Sequence, residues 1–365
     1  MSTAGGAAAD GSHDARADRL TEAAAGRGLD ALLVTNLANV RYLTGFSGTN
    51  GLALVGGGRR AFLTDFRYLD QAEDEVATFE RLRGKQDLLE DAARLLDGRV
   101  GFDDEHLTVK SHARLAELVE EGVELVPAGG LVEELRAVKD EAEVERIARA
   151  AALVDEALAA LSERGLAGRT EREVALALEN DLRERGAEGV SFPIIVAGGA
   201  HGALPHASPG DAPIERDSLV IVDLGCTVEG YCSDCTRTFA TGALDTEAAE
   251  VYALVLAAQE RALDAVHAGA GAREVDAVAR EAIADAGHGE EFGHGLGHGV
   301  GLEIHERPRL SPLGEGTLAA GNVVTVEPGV YLNGRFGVRI EDLVVVREHG
   351  PEVLSGFPKA LVTVE

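Results

Sequence analysis

Two α/β domains in one chain are what this sequence predicts, and three observations carry the prediction. The chain has 365 residues, room for two domains of ordinary size, and 45% of them are hydrophobic, enough for two cores. Helical and strand periodicities alternate from residue 14 to Pro127, where Pro127, Ala128, Gly129 and Gly130 read as a linker. Beyond it, two helical stretches followed by a pair of strands occur twice in succession.

Residues 1–14 read as a disordered leader. They lack a basic stretch followed by an apolar one, so a secretory signal is not expected and a cytoplasmic location is. An amphipathic run at 14–27 passes through Gly28 into an apolar strand at 31–34, and strands at 51–55 and 60–64 flank a glycine turn at 56–58. Helix 88–96, strand 100–102, helix 111–121 and strand 123–126 continue the alternation expected of an α/β layer domain spanning 15–127. Nothing in it has catalytic spacing.

The second domain, 128–365, opens with helical patterns at 140–163 and 170–185, the latter started by a capping box of Thr170 and Glu173. Strands are expected at 219–224 and 231–239. The order then returns as helices 246–267 and 273–286 and strands 323–326 and 338–346, and TEREV at Thr170 resembles AREVD at Ala272. Two related halves meeting around a shared site are expected.

Lys+Arg of 34 against Asp+Glu of 63 leaves a net charge of −29, which argues against nucleic acid or an anionic membrane as partner. No run of about 18 apolar residues is present, so no membrane span is expected. The acidic residues are dispersed and lysine occurs only at Lys85, Lys110, Lys139 and Lys359, a balance suited to high salt, where carboxylate repulsion is screened. Cys226, Cys232 and Cys235 are too few for a disulfide framework, and no second cysteine or histidine pair completes a zinc site.

The chemistry gathers at carboxylates beside turns. Asp223 ends the apolar strand SLVIVD, and Asp234 lies on the strand that returns after the turn at 225–230. Glu327 closes VVTVE, and Glu341 comes back after the Asn333-Gly334 turn. An aspartate on an apolar strand is costly to bury unpaired, and two of them call for a cation. The stretch FGHGLGHGVGLEIHE, 292–306, adds histidines among glycines. Four carboxylates and a histidine form an oxygen-dominated set suited to two divalent ions, which could share and activate a water for hydrolysis.

The segments VDLGCTVEGYCSDCTRTF, GHGVGLEIHE, TVEPGVY and GVRIED resemble, in order and spacing, the signatures of the pita-bread metallopeptidases: Xaa-Pro dipeptidases (prolidases), aminopeptidases P and methionine aminopeptidases. NVRYLTGFSGTNG and FLTDFRYLDQA resemble the creatinase-type N-terminal domain of the proline-specific members. The resemblance implies a pseudo-twofold pita-bread catalytic domain behind a creatinase-type α/β domain. It implies that Asp223, Asp234, His298, Glu327 and Glu341 ligate two metals, manganese or cobalt ahead of zinc or iron, with Asp234 and Glu341 bridging. His206 and His305 match the histidines that face substrate, and Arg309 matches an arginine that reaches the substrate's C-terminal carboxylate. The implied reaction is hydrolysis of an Xaa-Pro bond by a hydroxide held between the metals, with Glu327 shuttling the proton, in a homodimer acting on small peptides. His201 and His294 are expected to support the site or its turns, Arg339 to pair with its carboxylates, and Cys235 to make activity sensitive to thiol oxidation.

Three further readings follow from the same residues. An aminopeptidase P would act on longer peptides, and a hydrolase of a small cyclic amide would keep fold and ligands. A non-catalytic binding module is the third, and the presence of all five ligand candidates argues against it.

Overall fold

A computed structural model describes residues 6–364, with side chains from His13 onward. It divides into two compact units, Met1–Arg136 and Ala137–Glu365. The first helix, Gly6–Gly26, takes in much of the stretch expected to be a leader, while residues 1–5 lie outside the described residues.

In the first unit β1 (Ala31–Val34), β2 (Gly51–Gly56), β3 (Arg59–Thr64), β4 (Glu80–Arg83), β5 (Arg99–Phe102) and β6 (Glu124–Pro127) form one sheet in the order β4-β3-β2-β1-β5-β6. The strands β1, β2 and β3 run antiparallel, and β4, β5 and β6 join in parallel. Leu33, Leu54, Leu63 and Val100 bury one face of the sheet beneath Ala92 and Leu115 of the helices. The sequence reading lacked the helix Leu37–Thr44, which is started by Asn36, whose side chain accepts the Ala38 N–H at 2.8 Å.

The second unit repeats one motif. Helices Glu141–Arg164 and Glu171–Glu184 precede β7 (Gly189–Val190), β8 (Ile195–Gly198), β9 (Leu219–Leu224), β10 (Cys226–Val228), β11 (Tyr231–Cys232) and β12 (Cys235–Ala240). Helices Thr246–Asp264 and Ala272–Asp285 precede β13 (Gly297–Gly299), β14 (Glu306–Leu310), β15 (Val323–Val326), β16 (Gly329–Leu332), β17 (Phe336–Arg339), β18 (Asp342–Arg347) and β19 (Gly350–Val353). The expected capping box is present, with Thr170 accepting from the Glu173 backbone and Glu173 accepting from that of Thr170.

Two strands expected to be continuous are each broken at their carboxylate. Ser233 and Asp234 separate β11 from β12, and Ile340 and Glu341 separate β17 from β18. The outer strands still pair, β9 with β12 from Leu219↔Ala240 to Leu224↔Cys235, and β15 with β18 from Val323↔Val345 to Val326↔Asp342. The hairpins β10–β11 and β16–β17 leave between them. At the first break a Cβ on Gly225 would collide with the Ser233 carbonyl, so the chain can turn there only with glycine.

The halves are stitched at β12. Glu341 N–H donates to the Thr236 carbonyl at 3.1 Å, and Thr238 Oγ1 donates to the Arg339 carbonyl at 2.8 Å while accepting the Arg339 N–H at 3.1 Å. Each half has its own apolar support, Val154, Leu158, Leu178 and Val222 behind one, Val255, Val275, Ile283 and Val326 behind the other. Glu341, delivered by the second half, is thereby fixed to the strand that follows Asp234.

Candidate metal and substrate site

Asp223, Asp234 and Glu341 each offer a carboxylate oxygen within 4.8 Å of the others, and all three residues are buried. His298, on β13, extends the group. Its Nε2 lies 3.6 Å from Asp234 Oδ2 and 3.4 Å from Glu327 Oε1. The Nδ1 of His298 is 3.0 Å from the Gly299 carbonyl, which can only accept, so Nδ1 carries the proton and Nε2 presents its lone pair to the carboxylates.

Burial first, and then mutual repulsion among Glu341, Asp223 and Glu327, pushes Asp234 well above the ordinary carboxylate range. Burial does the same to Glu341, aided by Glu327 and Asp223, and burial raises Glu327. Burial lowers His298 instead, keeping the imidazole neutral and able to ligate. Asp223 Oδ1 and Glu341 Oε1 are buried without a hydrogen-bond partner, whereas their sister oxygens accept from Arg339 and Thr236. Orphaned anionic oxygens in a site dominated by carboxylates fit hard divalent cations, with one imidazole in the set.

A surrounding network fixes the ligand candidates. Thr236 Oγ1 donates to Glu341 Oε2 at 2.8 Å, and Thr325 Oγ1 donates to Glu327 Oε1 at 3.1 Å and accepts the His298 N–H at 3.1 Å. Arg339, buried, donates to Asp223 Oδ2 at 2.6 Å, to Thr236 Oγ1 at 3.1 Å and to the Tyr331 hydroxyl at 2.8 Å. Tyr331 in turn donates to His294 Nε2 across 2.9 Å, because His294 Nδ1 is committed to the Gly295 carbonyl at 2.7 Å. His294 therefore supports the site through Tyr331, with neither ring nitrogen left to ligate. Behind the carboxylates, Arg237 is buried and donates to Asp342 at 3.0 Å, to the carbonyl of Phe357 and to that of Glu341.

One cavity of about 550 Å³ collects these groups. Asp223, Asp234, His298, Glu327 and Glu341 line it together with His206, His305 and Arg309. His206 and Arg309 are exposed, and Arg309 sits on β14 directly opposite His298 of β13. The rings of His298 and His305 meet edge to face with centroids 4.4 Å apart. Phe192, Pro193, Ile195 and Ile304 give the cavity apolar wall. His201 is absent from the lining. It bonds Glu171 at 2.7 Å, and Glu171 also accepts the N–H groups of Gly198 and Gly210, which secures the ends of the loop carrying His206.

The expectation for Cys235 is corrected. Its thiol is buried, burial pushes its ionisation far up, and its sulfur faces the Glu341 carbonyl at 3.9 Å, which leaves little thiolate to oxidise. Tyr331, Thr236, Thr325 and Glu171 escaped the sequence reading. Only their long-range partners mark them.

Residues 145–348 match metallopeptidase family M24, and residues 16–138 match the creatinase/prolidase N-terminal domain. An Xaa-Pro dipeptidase of Pyrococcus furiosus is 35% identical over 342 residues, 92% of this chain and 95% of that protein. The solved structure of an Xaa-Pro dipeptidase from Bacillus anthracis superposes with a TM-score of 0.93 at 38% identity, covering 96% of this chain and 100% of that one. An X-Pro aminopeptidase from Thermotoga maritima gives 0.87 at 37% identity, covering 96% and 100%.

Proposed function

This chain belongs to metallopeptidase family M24, and we propose that it hydrolyses the bond before proline in Xaa-Pro dipeptides, with two divalent ions held by Asp223, Asp234, His298, Glu327 and Glu341. The observation that supports this is the single cavity lined by all five of those residues and by His206, His305 and Arg309. When bound, such ions supply Lewis acidity and an activated water. Manganese or cobalt suits the oxygen-dominated set.

The chain's own groups do the rest. Arg309 presents a planar fork to the free carboxylate of the proline. His206 and His305, at the exposed side of the cavity, donate hydrogen bonds to the carbonyl oxygen as it gains charge. Glu327, which lines the cavity, takes the proton released by the attacking water and passes it to the leaving nitrogen. That amide is tertiary and has no N–H, so recognition falls on its carbonyl and on the carboxylate. The apolar wall of Phe192, Ile195 and Ile304 receives the side chain and the pyrrolidine ring.

The likeness to an X-Pro aminopeptidase favours a second reading, release of the first residue from longer peptides. Arg309 separates the two. Arg309→Ala should raise KM for Leu-Pro by about tenfold or more while changing KM for Ala-Pro-Ala by less than about threefold, since a charge-assisted pair contributes about 1.5–3 kcal/mol. Equal effects on both substrates would favour the aminopeptidase. The family resemblance and the dispersed acidic surface further support a cytoplasmic homodimer working in high salt. Sedimentation of the purified protein checks the dimer: a monomer at micromolar concentration contradicts it.

A further inference from the structure

Away from the carboxylates, one ion pair is buried where function would need it. Lys139 Nζ lies 2.9 Å from Glu306 Oε2, with the two side chains 1% and 5% exposed. Burying two charges stabilises little by itself, because desolvation offsets the attraction. Such a pair does fix geometry, and both ends are tied to elements of the site.

The Lys139 N–H donates to the Gly321 carbonyl at 2.8 Å, and Asn322 Nδ2 donates to the Ala137 carbonyl at 2.8 Å. The backbone of Lys139 is therefore pinned at the start of β15, the strand that leads to Glu327. At the other end, Glu306 Oε1 accepts the Glu303 N–H at 3.1 Å, and the Gly301 N–H donates to the Glu303 carbonyl at 3.1 Å. A Cβ on Gly301 would meet the Glu306 carboxylate, so that carboxylate fills the inside of the 301–306 turn. His305 lies in this turn and Arg309 on the strand leaving it, and both line the cavity.

We propose that Lys139 and Glu306 form a buried brace that positions His305 and Arg309 toward the substrate without touching it. The roles given to His305 and Arg309 rest on the proposed Xaa-Pro reading. The brace couples the turn to the strand that ends at Glu327, so substrate groups and a metal-ligand candidate keep one spacing. Misplacement of such groups by about 1 Å can cost about a hundredfold in rate.

The test uses the full-length protein with Mn²⁺ and the variants Lys139→Met, Lys139→Arg and the double variant K139M/E306Q, which leaves no charge unpaired if K139M folds poorly. Amide exchange in residues 301–309 should quicken by about tenfold or more in K139M and in the double variant, while β9 and β15 keep wild-type rates. For Leu-Pro, kcat/KM should fall by about tenfold or more, mostly through KM, and K139R should recover to within about threefold. In an R309A background, K139M should raise KM by less than about twofold, because its effect is transmitted through Arg309. Unchanged exchange in 301–309, or an equal KM effect with and without Arg309, overturns the brace. A wild-type protein inert toward Leu-Pro would sink the substrate reading instead, and the exchange measurement would still decide whether the brace orders the turn.

Discussion

At the scale of single residues, the site is a contest between desolvation and charge. Asp234 and Glu341 are buried beside each other and beside Asp223, and their proton affinities are raised accordingly. A carboxyl whose folded value lies above its unfolded value stabilises the protein fully below the unfolded value, about 4, and loses that contribution as pH rises through the folded value. These carboxyls should therefore withdraw stability from metal-free protein as pH rises above about 4, by about 1.4 kcal/mol per pH unit for each within its window, while the lowered His294, His298 and His305 act in the opposite sense up to their unfolded value of about 6.5. Divalent ions bind the deprotonated carboxylates and should reverse the slope. Thermal unfolding between acidic and mildly alkaline pH, with EDTA and with Mn²⁺, reads this directly. Glu341→Gln removes one such group, so the variant's metal-free midpoint should gain on that of the wild type as pH rises; a gap that does not change with pH would show that the cluster is not strained by its own charge.

At the scale of elements, glycine decides how near two strands can lie. A Cβ at Gly297 would collide with the Thr325 carbonyl, so β13 can carry His298 close to β15 only because residue 297 has no side chain. Gly297→Ala should cost about 1–3 kcal/mol and reduce activity by about tenfold or more, as overpacking pushes β13 away from Glu327. Gly293→Ala serves as its control, because nothing lies within 4 Å of the added Cβ. Denaturant unfolding and Leu-Pro turnover of both variants test the contrast, and equal losses would contradict it.

The same close approaches mark what the sequence could tell. Asp223 and Glu327 were legible because each interrupts an apolar run, and the doubled helix-and-strand order was legible from periodicity. The breaks before Asp234 and Glu341 were not, since they come from backbone contacts such as Gly225 on Ser233 that leave no trace in local pattern. Tyr331 and Thr236 read as ordinary strand residues. Their meaning lies in Arg339 and Glu341, 8 and 105 positions away.

At the scale of the whole molecule, charge sets the conditions under which the site works. The chain carries a net −29 with four lysines, and two of these are spent on ion pairs, the buried Lys139 with Glu306 and the half-buried Lys359 with Asp342. Little lysine remains to balance the acidic surface at low ionic strength. Screening shortens the reach of carboxylate repulsion from about 30 Å at 0.01 M salt to about 3 Å at 1 M. The unfolding midpoint should accordingly rise between low salt and molar KCl, and a flat or falling midpoint would contradict a high-salt setting. Among the described residues no helix is long and apolar enough to cross a membrane. Whether these carboxylates with His298 hold two ions that drive proline-specific hydrolysis is decided by titrating EDTA-treated protein with Mn²⁺ while following Leu-Pro cleavage. Activity should return in step with the binding of two ions per chain. Cleavage at full rate in EDTA, or binding without any return of activity, would contradict it.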